Sequence, residues 1–212
     1  MPLPKHAELF FGLKLTEEQK VYVDTIFDKK VTFVQARAGS GKTTIAVGAA
    51  KILGKPLHYI FPTVEEKALG YTTGDVKQKE SKYLTPLYDA LIEIGEEPTK
   101  AIVNELNMKY GSAWVHAHSH NFMRGCNLKD VTVIVDEAQN FTIKELKRIL
   151  TRVHDSCKVI VIGDVYQCDI KEETSGFIPY LNHYSGTDFT GVCELTKNFR
   201  GEISSHAETI AV

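Results

Sequence analysis

Residues 31–53 read in order as an apolar strand, a tight turn of small residues and a helix. The strand is Val31-Thr32-Phe33-Val34, the turn is Ala36-Arg37-Ala38-Gly39-Ser40-Gly41-Lys42-Thr43, and the helix continues from Thr44 to Leu53. Small residues let such a turn fold tightly, so successive backbone N–H groups point inward and form an anion cradle. Lys42 adds a point charge suited to β- and γ-phosphates. The Thr43 hydroxyl is placed to ligate Mg²⁺, and the positive end of the helix faces the same phosphates. Ala38, Gly39, Ser40, Gly41, Lys42, Thr43 and Thr44 are therefore expected to hold a nucleoside triphosphate. One position departs from the pattern. Ala36 stands where Gly is usual, and its Cβ is the smallest a side chain can have.

Around this unit, short β-branched runs alternate with helical patterns, the signature of a mostly parallel sheet with helices on both faces. Strands are expected at Val31–Gln35, Leu57–Phe61, Ala113–Ala117, Val131–Val135, Lys158–Ile162 and Val192–Leu195. Helices are expected at Thr16–Phe27, Lys42–Leu53, Tyr83–Ile94, Lys100–Lys109 and Thr142–Val153. Thr142 followed by Glu145 is a capping box that marks the start of the last helix. At 212 residues the length fits one domain. The stretch from Glu65 to Lys82 breaks the rhythm, being polar with Gly70 and Gly74. It reads either as an excursion over the catalytic face or as a passive surface loop.

A second apolar strand, Val131-Thr132-Val133-Ile134-Val135, ends in Asp136-Glu137-Ala138-Gln139. Carboxylates there lie at the sheet's C-terminal edge, where open α/β folds bind ligands. Alone, two acids after a strand often mark only a solvated helix start. Together with Lys42 they fit a metal-holding Asp136, acting through a water, and a Glu137 that orients the attacking water at a γ-phosphate. A third strand runs into Gly163-Asp164-Val165-Tyr166-Gln167. Gln167 there reads either as a γ-phosphate sensor or as part of an ordinary turn.

More wording recurs in Leu69-Gly70-Tyr71-Thr72-Thr73-Gly74-Asp75 and in Tyr83-Leu84-Thr85-Pro86-Leu87-Tyr88-Asp89-Ala90-Leu91. It continues in Phe122-Met123-Arg124-Gly125, Asp136 to Asn140, Leu150-Thr151-Arg152, and Gly163-Asp164 with Gln167 and Asp169. Asp-Glu-Ala-Gln followed by Gly-Asp-x-x-Gln resembles the first superfamily of helicases. The fuller set resembles the PhoH-like family of phosphate-starvation-associated ATPases. That resemblance implies a single RecA-like domain over residues 1–212, a three-layer P-loop NTPase fold, and ATP as the nucleotide. It makes Gln19 the residue that reads the adenine edge, where the alternative is a helix-surface Gln, and it makes Gln167 the γ-phosphate sensor. Glu194-Leu195-Thr196-Lys197-Asn198-Phe199-Arg200 resembles a helicase motif whose Arg contacts the γ-phosphate, with Arg124, Arg148 and Arg152 competing for that role. Two departures stand out: Ala36-Arg37 replaces the family's usual Gly-Pro, and Phe61 precedes Pro62 where an Arg is usual.

The resemblance implies an ATPase, with RNA or single-stranded DNA as a further partner. The alternatives are a nucleotide-gated RNA or single-stranded-DNA module with slow regulatory hydrolysis, and a small-molecule kinase, against which the Asp-Glu-Ala-Gln and Gly-Asp-x-x-Gln wording speaks. Phe61-Pro62-Thr63 resembles a helicase segment that touches the sugar-phosphate backbone. Lys67, Lys77, Lys79 and Lys82, with Tyr71 and Tyr83, line either a nucleic-acid path or, given Glu65, Glu66, Asp75 and Glu80, a mixed-charge solvated loop. A formal net charge of −2 provides no global attraction for nucleic acid. A single lobe would need a ring or another homo-oligomer to translocate. His116, His118 and His120 alternate, which on a strand would place three imidazoles on one face and invites a metal reading, but no carboxylate or Cys partner sits nearby. Cys126, Cys157, Cys168 and Cys193 lack paired spacing, which speaks against zinc or a disulfide framework and for a reducing cytosol. Without an apolar leader or a spanning run, the expected location is the cytoplasm, away from membranes.

Overall fold

The computed structural model describes residues 10–63, 76–104, 107, 113–123 and 125–207. Its strands are β1 (Val31–Ala36), β2 (Leu57–Phe61), β3 (Val115–Ser119), β4 (Thr132–Val135), β5 (Lys158–Gly163) and β6 (Thr190–Leu195). They lie in the order β3-β2-β4-β5-β1-β6, and every pairing is parallel. The helices are α1 (Glu17–Asp28), α2 (Lys42–Leu53), α3 (Val76–Glu93), α4 (Pro98–Ala101), α5 (Ile143–Leu150), α6 (Phe177–Tyr184) and α7 (Glu202–Ala207). No described helix is long and apolar enough to cross a membrane.

Alternation along the strands sorts side chains onto two faces, each with its own core. Val34, Tyr59, Ile134, Ile160 and Ile162 pack with Tyr22 and Ile26 of α1, Ile45 and Ala49 of α2, and Leu87 and Leu91 of α3. Phe33, Val133, Val135, Val159 and Val161 pack on the other side with Leu146 and Ile149 of α5 and Phe177 of α6. The result is a three-layer α/β sandwich. The chain leaves β1 through α2 toward β2, and leaves β5 through α6 toward β6 on the opposite side. Those opposed exits open a crevice at the C-terminal ends of β1 and β5, where α/β folds place ligands.

Local chemistry sets the helix starts. Thr16 and Gln19 exchange side-chain and backbone hydrogen bonds at the head of α1, and Thr142 and Glu145 do the same at α5. Helix α3 begins at Val76 rather than Tyr83, so the expected excursion loses its last seven residues to helix. No Gly or Pro interrupts the chain between Val76 and Tyr83, and Leu87, Ala90 and Leu91 bury α3 against the core. Residues 64–75 of that stretch lie outside the described residues.

The helix expected over Lys100–Lys109 is not continuous among the described residues: α4 ends at Ala101 and Ile102 bridges to Val115, while residues 105, 106, 108 and 109 lie outside the described residues. Asn104 and Asn107 accept each other's backbone N–H at 2.8 and 2.9 Å. Short amide side chains compete with helical hydrogen bonding in this way. Helices α6 and α7 escape a periodicity reading because both are short. Helix α6 also carries Pro179, tolerated because it falls in the first turn.

Strand β3 runs two residues later than expected, because its register with β2 pairs Leu57 with Val115 and Phe61 with Ser119. That register overturns the grouping of His116, His118 and His120. The strand ends at Ser119, and His120 enters a 3₁₀ turn, where its Nε2 lies 3.2 Å from Glu145 Oε1. The third member of the cluster is instead His58 of β2, directly paired with His116. The rings of His58, His116 and His118 lie 4.8, 5.3 and 6.1 Å apart and nearly parallel. They are stacked rather than convergent, and among the described residues no His, Cys, Asp or Glu cluster is arranged to hold a metal ion.

Burial pushes all three imidazoles toward the neutral form. His58 falls to about 4, first through burial and then through the charges of its two neighbours. The unfolded chain, with His near 6.5, then binds more protons than the folded one between those values. Stability from this stack is complete above about pH 6.5 and declines as pH falls toward 4. Urea titrations across that range should show the decline, and His58→Phe should flatten it; an unchanged slope would place the acid sensitivity elsewhere.

Candidate functional site

The small-residue turn leaves β1 at Ala36, which remains in the extended strand opposite Leu195 of β6. An alanine is harmless there because the left-handed turns fall later, at Gly39 (φ +68°) and Gly41 (φ +77°). Gly41 caps α2, so the next N–H groups of the helix face the crevice. A Cβ added at Gly39 would lie 2.7 Å from Asn198 Oδ1 and 2.8 Å from Arg200 Cγ. The loop is thus pressed between α2 and the chain that follows β6. Ser40 Oγ is buried and has no hydrogen-bond partner among the described residues.

Strand β4 delivers Asp136 to the foot of this loop. The residue is fully buried, and three donors converge on its carboxylate. Thr43 Oγ1 donates at 2.8 Å and Tyr59 Oη at 2.6 Å to Oδ2, while the Glu137 N–H donates at 2.9 Å to Oδ1. Tyr59 is held protonated, its phenol pushed well up by burial and by Asp136. Glu137 then turns left-handed, at φ +52° and ψ +43°, a strained conformation for a side-chain-bearing residue. This sends its carboxylate to the same crevice, with Oε1 3.9 Å from Lys42 Nζ. Burial first, and Asp136 next, push the Glu137 carboxyl above the usual range, while Lys42 and Gln139 pull it back.

Gln139 is the participant that sequence reasoning missed. Only 1% exposed, its Nε2 donates to Glu137 Oε2 at 2.6 Å and to the Gln167 carbonyl at 3.0 Å. Its Oε1 accepts the Asp164 N–H at 2.9 Å. The signal was present in the Asp-Glu-Ala-Gln wording, but no spacing rule says which way an amide points. The Gln167 residue itself is exposed, beside the loop's exposed Tyr166.

Two other segments brace the phosphate loop. Gln19 is buried rather than on the helix surface; its Oε1 closes the α1 cap and its Nε2 donates to the Ser40 carbonyl at 2.9 Å. Glu18 accepts both the N–H and the hydroxyl of Thr196, which hold its carboxyl below the usual range. The Phe199 N–H donates to Gly39 O at 2.9 Å, and the Arg200 N–H to Asn198 Oδ1 at 2.7 Å. Arg200 is therefore placed against the loop. Arg148 lies instead beside His120 and Glu145, Arg152 is an exposed residue past the end of α5, and Arg124 lies outside the described residues.

A family profile described as PhoH-like protein matches residues 13–209. The chain belongs to the PhoH-like family. It is 40% identical over 161 residues to the PhoH-like protein of Synechocystis sp., covering 73% of this chain and 47% of that protein. With protein PhoH of Escherichia coli K12 it shares 31% over 193 residues, covering 87% and 53%. The chain thus spans about half the length of these curated relatives. Among solved structures, the UvsW helicase of bacteriophage T4 aligns with a TM-score of 0.53 at 13% identity, over 86% of this chain and 60% of that one. Family and fold together make this a RecA-like P-loop NTPase architecture.

Both departures of this PhoH-like chain have structural consequences. Arg37, unlike Pro, has an N–H, and it donates to Leu195 O at 3.2 Å, extending the β1–β6 ladder. Its guanidinium sits over the Tyr166 ring, 5.3 Å from the centroid. Phe61 is buried and stacks on Tyr83 at 6.0 Å, so Tyr83 serves the core rather than an open stacking surface. Thr63 receives a hydrogen bond from Asn121 at 3.3 Å beyond the ends of β2 and β3. Lys67, Tyr71 and the side chains of Lys77, Lys79 and Lys82 lie outside the described residues.

Tyr59→Phe removes one of the three donors to Asp136 and should lower the unfolding free energy by about 1–3 kcal/mol. A urea titration checks this; an unchanged midpoint would mean that the hydroxyl is dispensable to the buried carboxylate.

Proposed function

We propose that this chain is a Mg²⁺-dependent ATPase. The observation that carries the reading is the convergence of Lys42, Thr43, Asp136 and Glu137, with Thr43 and Asp136 2.8 Å apart across 93 residues of sequence. A fully buried Asp136 and a half-buried Glu137 beside a phosphate-type loop have no packing rationale, and they suit a site for cation and anion together. The Thr43 hydroxyl and Asp136 carboxylate are hard oxygen donors of the kind Mg²⁺ takes, and when bound the ion neutralises phosphate charge.

Around it, the loop amides from Ala38 to Thr44 cradle the phosphates, and Lys42 neutralises the β- and γ-oxygens. Glu137 orients the attacking water, Gln167 reads the γ-phosphate, and Arg200 stabilises charge that develops during transfer. Gln19 reads adenine, its amide retaining one further proton and lone pair beyond the bonds it makes. In this reading RNA or single-stranded DNA runs across the strand ends near Thr63 and Asn121 and stimulates turnover.

Lys42→Ala should abolish ATP binding or turnover. Glu137→Gln should retain ATP while slowing hydrolysis by about 10²–10⁴-fold. Calorimetry with an ATP analogue and a phosphate-release assay check both, and undiminished hydrolysis in either variant would refute the assigned roles. The same assay with and without single-stranded RNA tests the partner: stimulation supports it, and its absence removes nucleic acid from the reading.

A further inference from the structure

The parallel ladder between β4 and β5 ends where Val135 pairs with Val161. Beyond it the two chain segments stay together through side chains. Gln139 Oε1 accepts the Asp164 N–H, and Gln139 Nε2 donates to Gln167 O. Asn140 and Asp169 exchange bonds of 3.1 and 2.7 Å, and Cys168 Sγ donates to Gln139 O at 3.4 Å. Within this zipper, only Gln139 also reaches the carboxylate of Glu137. A buried amide with donor and acceptor both engaged has one orientation, because turning it would leave polar atoms unpaired.

We propose that Gln139 is a positioning residue that makes Glu137 and the loop Asp164–Gln167 move as one unit. The group that orients water and the group that reads the γ-phosphate would then reach their working positions together. This rests on the roles given above to Glu137 and Gln167. The chemistry explains why an amide is needed. Glutamate would set a second carboxylate against Glu137, and an apolar side chain of the same length would tie nothing.

The test compares Gln139→Met, Gln139→Glu, Gln167→Ala and the double variant Gln139→Met/Gln167→Ala in the full chain. Readouts are turnover, calorimetric affinity for Mg²⁺-ATPγS, and amide exchange at Asp164 and Gln167. Gln139→Met should lower kcat by about 10–100-fold, the scale of a misplaced catalytic group. Its ATPγS affinity should stay within about threefold of the parent, since ground-state binding is untouched. Asp164 should exchange faster in Gln139→Met but remain protected in Gln139→Glu, which keeps the acceptor while losing turnover. Adding Gln167→Ala to Gln139→Met should cost little more, because both break one unit.

Parental turnover in Gln139→Met, or losses that multiply in full in the double variant, would overturn the proposal. Should Gln139→Met fail to fold, parental turnover in Gln139→Glu would overturn it equally. If the parent chain hydrolyses no ATP, the hydrolytic reading fails on its own. The coupling is then decided by exchange: ATPγS should alter Asp164 and Gln167 in the parent and not in Gln139→Met, and the same response in both would overturn it.

Discussion

A carboxylate with no solvent exposure is tolerable only when donors surround it, and Asp136 has three. Each comes from a different place: Thr43 from the start of α2, Tyr59 from β2, and the Glu137 backbone from the turn after β4. Satisfying one buried carboxylate therefore fixes the phosphate loop, a neighbouring strand and the turn after β4 relative to one another. The left-handed backbone of Glu137 is part of that arrangement. The conformation is unfavourable for a side-chain-bearing residue, yet it lets the N–H fold back onto Asp136 while the carboxylate turns toward Lys42.

The phosphate loop is held from outside as well as from within. Gln19 grips the Ser40 carbonyl from α1, and the segment after β6 contributes the Phe199 N–H to Gly39. Glu18 in turn fastens that segment to α1 through Thr196. These contacts join residues from both ends of the described chain around one turn. They also explain how a loop beginning Ala-Arg remains compatible with the fold. Ala36 is still strand, and Arg37 uses its N–H to lengthen the ladder with β6.

Where sequence reasoning succeeded, the physics was local. The limits of β2 and α2 are as expected because the short apolar run of β2, and the left-handed Gly41 and Gly54 flanking the apolar stretch 45–50 of α2, all act within a few residues. Thr142 with Glu145 marks the start of α5 for the same reason. Where it failed, a distant partner decided. The register with β2 moved β3 by two residues and exchanged His120 for His58 in the histidine stack. One failure was itself local: Asn104 and Asn107, three residues apart, bond each other's backbone just past the end of α4 at Ala101.

The sequence by itself determined which chemical groups are available: a phosphate-type turn, two acids at a strand end, and an amide loop after a third strand. Each is a short stretch whose backbone preferences and side-chain chemistry are written in adjacent residues. Only the tertiary structure decided which groups meet. Thr43 and Asp136 are 93 residues apart, Gln139 and Gln167 are 28 apart, and Gln19 and Ser40 are 21 apart. No local preference encodes such pairings. They follow from strand order and from the cost of leaving a buried charge or amide without hydrogen-bond partners.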